Sequence, residues 1–306
     1  MRNFTAALSA MLVGSAYAGY DFSYLQNGAD WGTTTTDTAN NAVDWALCDS
    51  GSEQSPIDLV GGSSNDNLSI KREDYIDVRV DTAFEKSGSM KITGLDNSDP
   101  VPKLTLVRGN GDELTFMPAQ FHFHAPSEHS VDDTLYDLEV HFVHVQPDGA
   151  SLPYAVIGVF FDRTVGGNSE NPFLKSMFDA ISSKDDSDAS KVAAVDFLDS
   201  LDYSDYWSYD GSLTTPPCTE NVKWTVVTGV QPISDIQLLE WTQFLADDAT
   251  FANGRGNNRV VQPLGDRTLY KANTTADGTG VEEDNDGASA LMGGLAAVAA
   301  LAALSF

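Results

Sequence analysis

The sequence predicts a mainly β fold in a single domain, with short peripheral helices around a large, twisted, mostly antiparallel sheet. Residues 68–116 alternate short apolar runs with Gly, Asn, Asp and Pro, a pattern typical of antiparallel strands joined by turns. Residues 154–161 (YAVIGVFF) form a short run that is apolar on both faces, which predicts a buried central strand. With 306 residues and 42% hydrophobic content, the chain can hold one large β-rich domain.

Three segments carry helical signals. Asn171 followed by Pro172 predicts an N-cap and a first helical residue. Residues 189–201 have apolar side chains at the spacing of a short amphipathic helix. Ser234 and Gln237 match a capping box, which predicts that another helix starts there. That helix is expected to span residues 234–247 and to bury Ile236, Leu239 and Leu245.

The chain is strongly acidic, with 17 Lys and Arg residues against 45 Asp and Glu residues and a net charge of -28. This balance excludes nucleic acid as a partner, because binding to phosphates needs a basic surface. Two explanations of the charge remain open. One is a soluble surface whose like charges repel each other. The other is adaptation to high salt, where screening suppresses that repulsion.

The N-terminal segment predicts export. Residues 1–18 combine an early positive charge at Arg2, an apolar run and an A-x-A cleavage pattern that ends at Ala18, which is typical of a secretory signal peptide. The chain has two cysteines, Cys48 and Cys218. In an oxidising compartment their simplest arrangement is one disulfide that closes a long loop.

All five histidines lie within the stretch AQFHFHAPSEHSVDDTLYDLEVHFVHV. His122 and His124 are two residues apart, so their side chains share one face of a strand. Residues 138–146 predict a second strand with His141 on one face and His144 on the other. If the strands pair, three imidazoles meet, and three nitrogens with one further position form the ligand set of a catalytic zinc. The alternative is a group of hydrogen-bonded core histidines.

Several motifs of the chain resemble those of the alpha-class carbonic anhydrases. They are QFHFH at residues 120–124, SEHSVD at 127–132, YDLEVHFVHV at 136–145, QSPI at 54–57 and LTTPP at 213–217. The resemblance implies a sheet of about ten strands, Zn²⁺ as the cofactor, and reversible hydration of carbon dioxide to bicarbonate and a proton by zinc-bound hydroxide. It implies that His122, His124 and His141 are the metal ligands. Cysteines before QSPI and after LTTPP are common in secreted members, which supports the pairing of Cys48 with Cys218.

The resemblance also implies roles for residues around the metal. Gln120 and Glu139 each precede a ligand by two residues on the same strand face, where they can orient the imidazoles. Thr214 is expected to accept a hydrogen bond from the zinc hydroxide and to donate its proton to Glu128, and Thr215 to contact bicarbonate. The apolar wall for carbon dioxide is expected at Val143, Val156, Leu213, Val222 and Trp224, each of which is also a plausible core residue.

Other positions match the family less closely. Tyr24 and Trp31 resemble aromatic residues of the family's N-terminal arm, which cap the cleft, although on their own they predict only packing. The segment RVVQPL resembles a C-terminal family segment, with Val260 where proline is usual. Where fast family members carry a histidine that exports the proton, this chain has a serine, Ser87 or Ser89. We therefore expect no proton-shuttle histidine.

The composition changes towards the C-terminus. We expect the catalytic domain at residues 20–271, a polar acidic spacer at 272–289 and an apolar tail at 290–306. The small residues at 278–280, the spacer and the tail together fit a GPI-attachment signal, which predicts a protein on the extracellular face of the membrane. A C-terminal peptide anchor and a low-complexity tail are the alternatives.

Two rival functions come from other classes. One is a non-catalytic relative that binds carbohydrate or a protein partner, and the other is an extracellular zinc-storage protein. Catalysis is favoured over the first because no zinc histidine is missing, and over the second because the histidines suffice for one site. The expected partners are carbon dioxide and bicarbonate, and the membrane through a lipid anchor.

Overall fold

The computed structural model describes residues 22–33, 37–38, 41–42, 45–63, 69–73, 78–80, 89–93, 103–107, 111–146, 153–182, 191–192, 194–246 and 251–273. The predicted leader at 1–18, Ser87 and the predicted tail at 290–306 lie outside the described residues, as does the spacer beyond residue 273. All described residues belong to one compact unit, Met1–Thr274. Among them, we find no helix with the length and apolar character that a membrane crossing requires.

Strands make up most of the described structure. In chain order they are β1 (Asp37–Thr38), β2 (Asn41–Ala42), β3 (Ser69–Glu73), β4 (Val78–Val80), β5 (Ser89–Thr93), β6 (Lys103–Val107), β7 (Glu113–His124), β8 (Ser130–Val131), β9 (Thr134–Leu135), β10 (Leu138–Val145), β11 (Tyr154–Asp162), β12 (Lys191–Val192), β13 (Asp205–Ser212), β14 (Glu220–Pro232) and β15 (Tyr270–Asn273). The helices are a 3₁₀ turn (Trp31–Thr33), α1 (Leu47–Ser50), α2 (Pro172–Ser182), α3 (Ala194–Ser200) and α4 (Asp235–Ala246).

Eleven of the strands in the described residues form one mixed sheet. Its main path runs β12-β4-β5-β7-β10-β11-β14-β13-β15, and a branch leads from β7 through β6 to β3. Neighbouring strands are antiparallel except β11 and β14, which run parallel. The predicted fold class is therefore confirmed: a mainly β domain with a mostly antiparallel sheet and short helices, and with about the number of strands that the resemblance implied.

The sheet separates two buried clusters, because side chains alternate between its faces along β7 and β10. Phe121, Phe123 and Phe142 belong to the larger cluster, which the helices cover. The helical members are Phe173, Leu174 and Met177 of α2, Phe197 and Leu198 of α3, and Trp241 of α4. The smaller cluster contains Val143 and Trp224. The histidines of β7 alternate with the phenylalanines and so lie on the side of the smaller cluster.

The register of β10 against β7 determines which histidines meet. His141 lies directly opposite His122, as the sequence predicted for paired strands. The register shifts between Val143 and His144, and His144 is buried outside the three-histidine group. Burial lowers the pKa of His144 to about 4, although hydrogen bonds with the backbone of Ala155 and Phe142 oppose this, so the ring is neutral at neutral pH.

The predicted caps of the two longer helices are confirmed. Oδ1 of Asn171 accepts a hydrogen bond from the N–H of Phe173 at 3.0 Å at the start of α2. At the start of α4, the N–H of Gln237 donates to Oγ of Ser234 at 3.2 Å, and the N–H of Ser234 donates to Oε1 of Gln237 at 3.3 Å. The helix predicted at residues 189–201 is shorter, because Val192 pairs in β12 and α3 begins only at Ala194.

The predicted buried face of α4 is wrong. Ile236 and Leu239 are 71% and 58% exposed, whereas Gln237 and Trp241 are buried. The cause is a contact between helices: the Gln237 side chain accepts a hydrogen bond from the N–H of Asn171 at 2.8 Å and donates to its carbonyl at 2.9 Å. This turns a polar residue of α4 inward. The side chain of Leu245 lies outside the described residues.

The disulfide between Cys48 and Cys218 is confirmed, and it joins residues 170 positions apart. It packs in a third buried cluster, formed largely by aromatic residues near the N-terminus. Tyr24 and Trp31 are buried in this cluster, with their ring centroids 5.3 Å apart in an edge-to-face arrangement. Their described contacts are those of packing residues, and the disulfide ties this aromatic cluster to the loop after Thr214 and Thr215.

We expect the double variant Cys48→Ser/Cys218→Ser to have a free energy of unfolding lower by about 5 kcal/mol, because the disulfide restricts a long loop of the unfolded chain. Urea denaturation of the oxidised protein and of the variant measures the difference. As a control, the reduced wild type should unfold like the double variant. A difference below about 1 kcal/mol would contradict the entropic account of this disulfide.

Candidate metal centre

Three imidazoles meet on one face of the sheet. β7 carries His122 and His124 at alternate positions, and β10 places His141 opposite His122. The ring centroids are 4.9 Å apart for His122 and His124, 5.1 Å for His122 and His141, and 4.7 Å for His124 and His141. One nitrogen of each ring lies within 4.8 Å of the other two, and all three side chains are buried. The structure thus brings together the three residues that the resemblance implied as ligands.

Each imidazole has one nitrogen hydrogen-bonded to an oxygen acceptor. The pairs are Nδ1 of His122 with Oε1 of Gln120 at 2.8 Å, Nδ1 of His124 with the main-chain oxygen of Asn257 at 2.7 Å, and Nε2 of His141 with Oε1 of Glu139 at 2.9 Å. Because these oxygens accept hydrogen bonds, the proton of each neutral ring lies on the outer nitrogen. The other nitrogen of each ring therefore presents its lone pair to a common point.

The inner nitrogens fit a small divalent cation. Nε2 of His122 and Nδ1 of His141 are 3.3 Å apart, and two lone pairs that face each other at this distance repel unless a cation lies between them. Zinc–nitrogen bonds of about 2.0–2.1 Å in a tetrahedral site place neighbouring ligand atoms about 3.3–3.4 Å apart. Neutral imidazole is also a nitrogen ligand that suits zinc. The three residues therefore fit zinc and leave a fourth position for another ligand.

Burial keeps the three rings neutral, which is the form that binds metal. Desolvation, together with His124 and His141, lowers the pKa of His122 well below its usual value. Desolvation and His141 lower the pKa of His124 to about 3, although the hydrogen bond to Asn257 opposes the change. Desolvation also lowers the pKa of His141, against the opposing effect of Glu139.

Glu139 is a fully buried carboxylate that accepts four hydrogen bonds. Oε1 accepts from Nε2 of His141 at 2.9 Å and from Nδ1 of His129 at 2.8 Å. Oε2 accepts from the N–H groups of Glu128 and His129, both at 2.9 Å. Burial alone would raise the pKa of Glu139, but its interactions with the imidazoles of His129 and His141, including the hydrogen bonds from both rings, lower it well below its usual value. An ionised Glu139 thus holds the ring of His141.

His129, Glu139 and His141 form a second group of candidate ligands, but hydrogen bonds account for it. Nδ1 of His129 is bonded to Glu139, and its Nε2 is 2.7 Å from the hydroxyl of Tyr209. That hydroxyl is in turn 2.9 Å from Oγ of Ser55. With both of its nitrogens in hydrogen bonds, His129 is a structural residue rather than a ligand.

Glu128 is fully buried beside the three histidines of the candidate metal site. Its Oε1 accepts a hydrogen bond from the N–H of Arg259 at 2.9 Å, and its Oε2 lies 3.3 Å from Nε2 of His124 and 3.8 Å from Nδ1 of His141. Burial raises the pKa of Glu128 well above its usual value, while hydrogen bonds from Thr214 and Arg259 oppose the rise. A bound cation would favour the ionised form. The structure thus brings Glu128 and Thr214 together next to the histidines.

The residues predicted as an apolar wall lie in one cluster. They are the buried Val143, Val156, Val222 and Trp224, and the partly buried Leu213. The centroid of the Trp224 ring is 4.8 Å from that of His141, so the cluster adjoins the imidazoles. Thr215 is also buried, and its carbonyl accepts a hydrogen bond from the N–H of Cys218 at 2.8 Å.

Sequence reasoning did not assign three residues that contact the site: Asn257, Tyr209 and Arg259. The guanidinium of Arg259 is buried and donates to Oε1 of Gln54 at 2.9 Å and to the carbonyl oxygens of Ser55 at 2.7 Å and Cys48 at 2.6 Å. Arg259 begins the RVVQPL segment, but arginine is mostly exposed in proteins, so nothing in that segment signalled its burial. Val260, the residue that departs from the family, is 46% exposed.

Comparisons with known proteins agree with this geometry. The sequence profile of a family described as eukaryotic-type carbonic anhydrase matches residues 36–273. A carbonic anhydrase from Nostoc sp. is 33% identical over 233 residues, which cover 75% of this chain and 79% of the relative. A carbonic anhydrase from Dunaliella salina is 31% identical over 296 residues, which cover 87% of this chain but 47% of the relative, so the chain spans about half of its length.

A solved structure gives the same result. A halotolerant carbonic anhydrase from Dunaliella salina matches with a TM-score of 0.62 and 29% sequence identity, over 83% of this chain and 98% of that one. The profile match extends over most of the chain, and the Nostoc relative is similar over three quarters of it. The chain belongs to the eukaryotic-type carbonic anhydrase family, enzymes whose general activity is the hydration of carbon dioxide.

Proposed function

We propose that this protein catalyses the reversible hydration of carbon dioxide to bicarbonate and a proton, with a zinc ion held by His122, His124 and His141. One observation carries the proposal: three imidazole nitrogens, each oriented by an outer acceptor, converge beside a buried carboxylate and an apolar cluster. When bound there, zinc lowers the pKa of a water molecule to about 7, which supplies a nucleophile at neutral pH.

Thr214 and Glu128 orient that nucleophile. With a cation bound nearby, Glu128 would be ionised and could only accept hydrogen bonds, so the Thr214 hydroxyl would donate to it and the Thr214 oxygen would remain an acceptor. This oxygen then accepts a hydrogen bond only from a group that carries a proton. A lone pair of the nucleophile is thereby directed at the substrate, and ligands that cannot donate are excluded. Thr215 contacts the bicarbonate product.

The apolar wall holds the substrate. Carbon dioxide is uncharged and has no hydrogen-bond donor. It therefore gives up little favourable hydration free energy when it moves from water to an apolar surface formed by the valines, Leu213 and the ring of Trp224. Bicarbonate is charged, and transfer from water to that apolar surface is unfavourable. The same wall therefore favours entry of the substrate and departure of the product.

The two rival functions have less support. A non-catalytic relative does not need the full set of ligands, outer acceptors and the pair of Glu128 and Thr214. A zinc-storage protein needs several sites, but the two histidines outside the cluster, His129 and His144, are both buried, and His129 has both nitrogens in hydrogen bonds. This set of residues supports one site with a catalytic environment.

We further propose that the protein is exported after removal of residues 1–18 and is held on the extracellular face of the membrane by a GPI anchor. The disulfide between Cys48 and Cys218 supports an oxidising compartment. The small residues at 278–280, the acidic spacer and the apolar segment at 290–306 support attachment of a lipid.

Export of the proton is proposed to depend on the solution rather than on a histidine. The chain has five histidines and all of them are buried. Three form the candidate metal site, His129 has both nitrogens in hydrogen bonds, and His144 lies outside the three-histidine group. Ser89 lies opposite His122 in the register of β5 with β7, and this is one of two serines where the resemblance places the shuttle histidine. Because all five histidines are buried, no exposed imidazole is left to relay protons to the solvent.

Substitution of His122, His124 or His141 by Ala should remove tightly bound zinc and hydration activity together, since two imidazoles hold zinc much less firmly than three. The control His144→Ala should keep one zinc ion per chain, because His144 lies outside the cluster. Elemental analysis of the purified variants and stopped-flow hydration assays measure both. Loss of zinc from His144→Ala with retention in His141→Ala would show that the ligands are misassigned.

Turnover at saturating carbon dioxide should be modest in dilute buffer and should rise with buffer concentration or added imidazole, while kcat/KM hardly changes. The reason is that proton export, which follows the chemical step, is limiting. Ser89→His should raise turnover in dilute buffer, and it should have less effect in concentrated buffer. Turnover of about 10⁶ s⁻¹ without dependence on buffer would show that another group carries the proton.

Treatment of intact cells with a phosphatidylinositol-specific phospholipase should release hydration activity into the medium, because the proposed anchor is a lipid. The control for the specificity of the phospholipase is a surface protein with a peptide anchor, which trypsin releases and the phospholipase should not release. Mass spectrometry of the mature protein provides the second measurement. Detection of residues 291–306 in it would replace the lipid anchor with a peptide anchor.

A further inference from the structure

Residues 256–259, which we call the strap, cross the end of β7 beside the three histidines of the candidate metal site. The main-chain oxygen of Asn257 accepts the hydrogen bond from Nδ1 of His124 at 2.7 Å. Two residues later the N–H of Arg259 donates to Oε1 of Glu128 at 2.9 Å. One short segment thus contacts both a candidate metal ligand and the carboxylate next to it.

The side chain of Asn257 bonds to the main chain on both sides of His124. Its Nδ2 donates to the carbonyl of Phe123 at 2.8 Å, and its Oδ1 accepts from the N–H of Ala125 at 2.9 Å. The N–H of Asn257 also donates to the carbonyl of Ala125 at 3.3 Å. The pairing of β7 with β10 extends no further than His124, so this amide continues the hydrogen bonding of the main chain where the strand pairing ends.

Gly256 permits this close approach. Its φ is +97°, a backbone conformation that residues other than glycine rarely adopt. A Cβ at this position would overlap the carbonyl oxygen of Ala125. The strap is therefore in direct contact with the backbone next to His124, and the side chain of Asn257 is buried in that contact.

We propose that the side-chain amide of Asn257 is a positioning group for the metal site. By hydrogen-bonding the main chain of both neighbours of His124, it directs the main-chain carbonyl of Asn257 at Nδ1 of the His124 ring. The amide thereby sets how tightly zinc is held. The inference rests on the proposed zinc site. Without the amide, the carbonyl is free to turn away from the ring, and the lone pair of Nε2 loses its fixed direction. Groups that orient metal-bound imidazoles typically change metal affinity by about 10–100-fold when removed.

The chain offers a matched control on the other side of the strap. Nδ2 of Asn27 donates to the main-chain oxygen of Asn258 at 3.0 Å and to its Oδ1 at 3.1 Å. Among the described residues, the hydrogen bonds of Asn27 do not involve residues 123–125. Asn27 has a φ of +50°, which glycine adopts without strain, so Asn27→Gly removes these two bonds and keeps the backbone conformation. This variant loosens the strap without changing the bonds around His124.

The test compares zinc affinity, measured by competition with a chromogenic chelator, and thermal stability in the wild type, Asn257→Ala and Asn27→Gly. We expect both variants to melt at lower temperature, and only Asn257→Ala to bind zinc about 10–100-fold more weakly. If Asn257→Ala does not fold, the isosteric Asn257→Asp is measured; it keeps the acceptor for Ala125 and loses the donor to Phe123, so we expect a smaller loss of affinity.

Unchanged zinc affinity in a folded Asn257 variant would overturn the inference, as would an equal loss in Asn27→Gly, since the effect would then be general loosening of the strap. Either result leaves the proposed function standing, because the wild type would still bind one zinc ion. A wild type that binds no zinc would overturn the proposed function and this inference together.

Discussion

The constraint on which the structure depends is the burial of three imidazoles and two carboxylates at one point of a β-sheet. Polar and charged groups removed from water are costly unless each one is hydrogen-bonded or paired. His124 requires the carbonyl of Asn257, Glu139 requires two imidazoles and two N–H groups, and Glu128 requires the N–H of Arg259. Segments that are distant in sequence must therefore meet at this point before any of these groups can be buried at low cost.

The β-sheet provides this arrangement because one alternating pattern serves both of its faces. Phe123 of β7 packs on Trp241 of α4, with 4.2 Å between ring centroids, while His122 and His124 project from the same strand towards the other face. Packing of the aromatic face holds the backbone of the ligands in place. The orientation of the imidazoles then depends on the outer hydrogen bonds, and a metal ion bound there would add its own bonds to groups that are already oriented.

Local patterns in the sequence predict the parts of the site that lie within one strand, and they miss the parts that come from distant segments. The two-residue spacing of His122 and His124, and of Glu139 and His141, is visible in the sequence. This spacing places the two side chains of each pair on one face of a strand. The partner of His124 is 133 residues away, and that of Glu128 is 131 residues away. The exposed face of α4 was mispredicted for the same reason, because it follows from the contact of Gln237 with Asn171 on another helix.

The net charge of -28 bears on the reaction through the charges of its participants. Several basic side chains of the described residues already form ion pairs or hydrogen bonds. Arg72 pairs with Asp199 at 2.9 Å, Lys271 pairs with Asp205 at 2.7 Å, and Arg259 donates to main-chain carbonyls. The excess of carboxylates therefore sets the long-range field. Carbon dioxide is uncharged, so this field exerts no force on its approach, whereas bicarbonate is repelled as it leaves. Salt screens the field over about 8 Å at physiological ionic strength, so its effect on the anion weakens in concentrated salt while entry of the neutral substrate does not change.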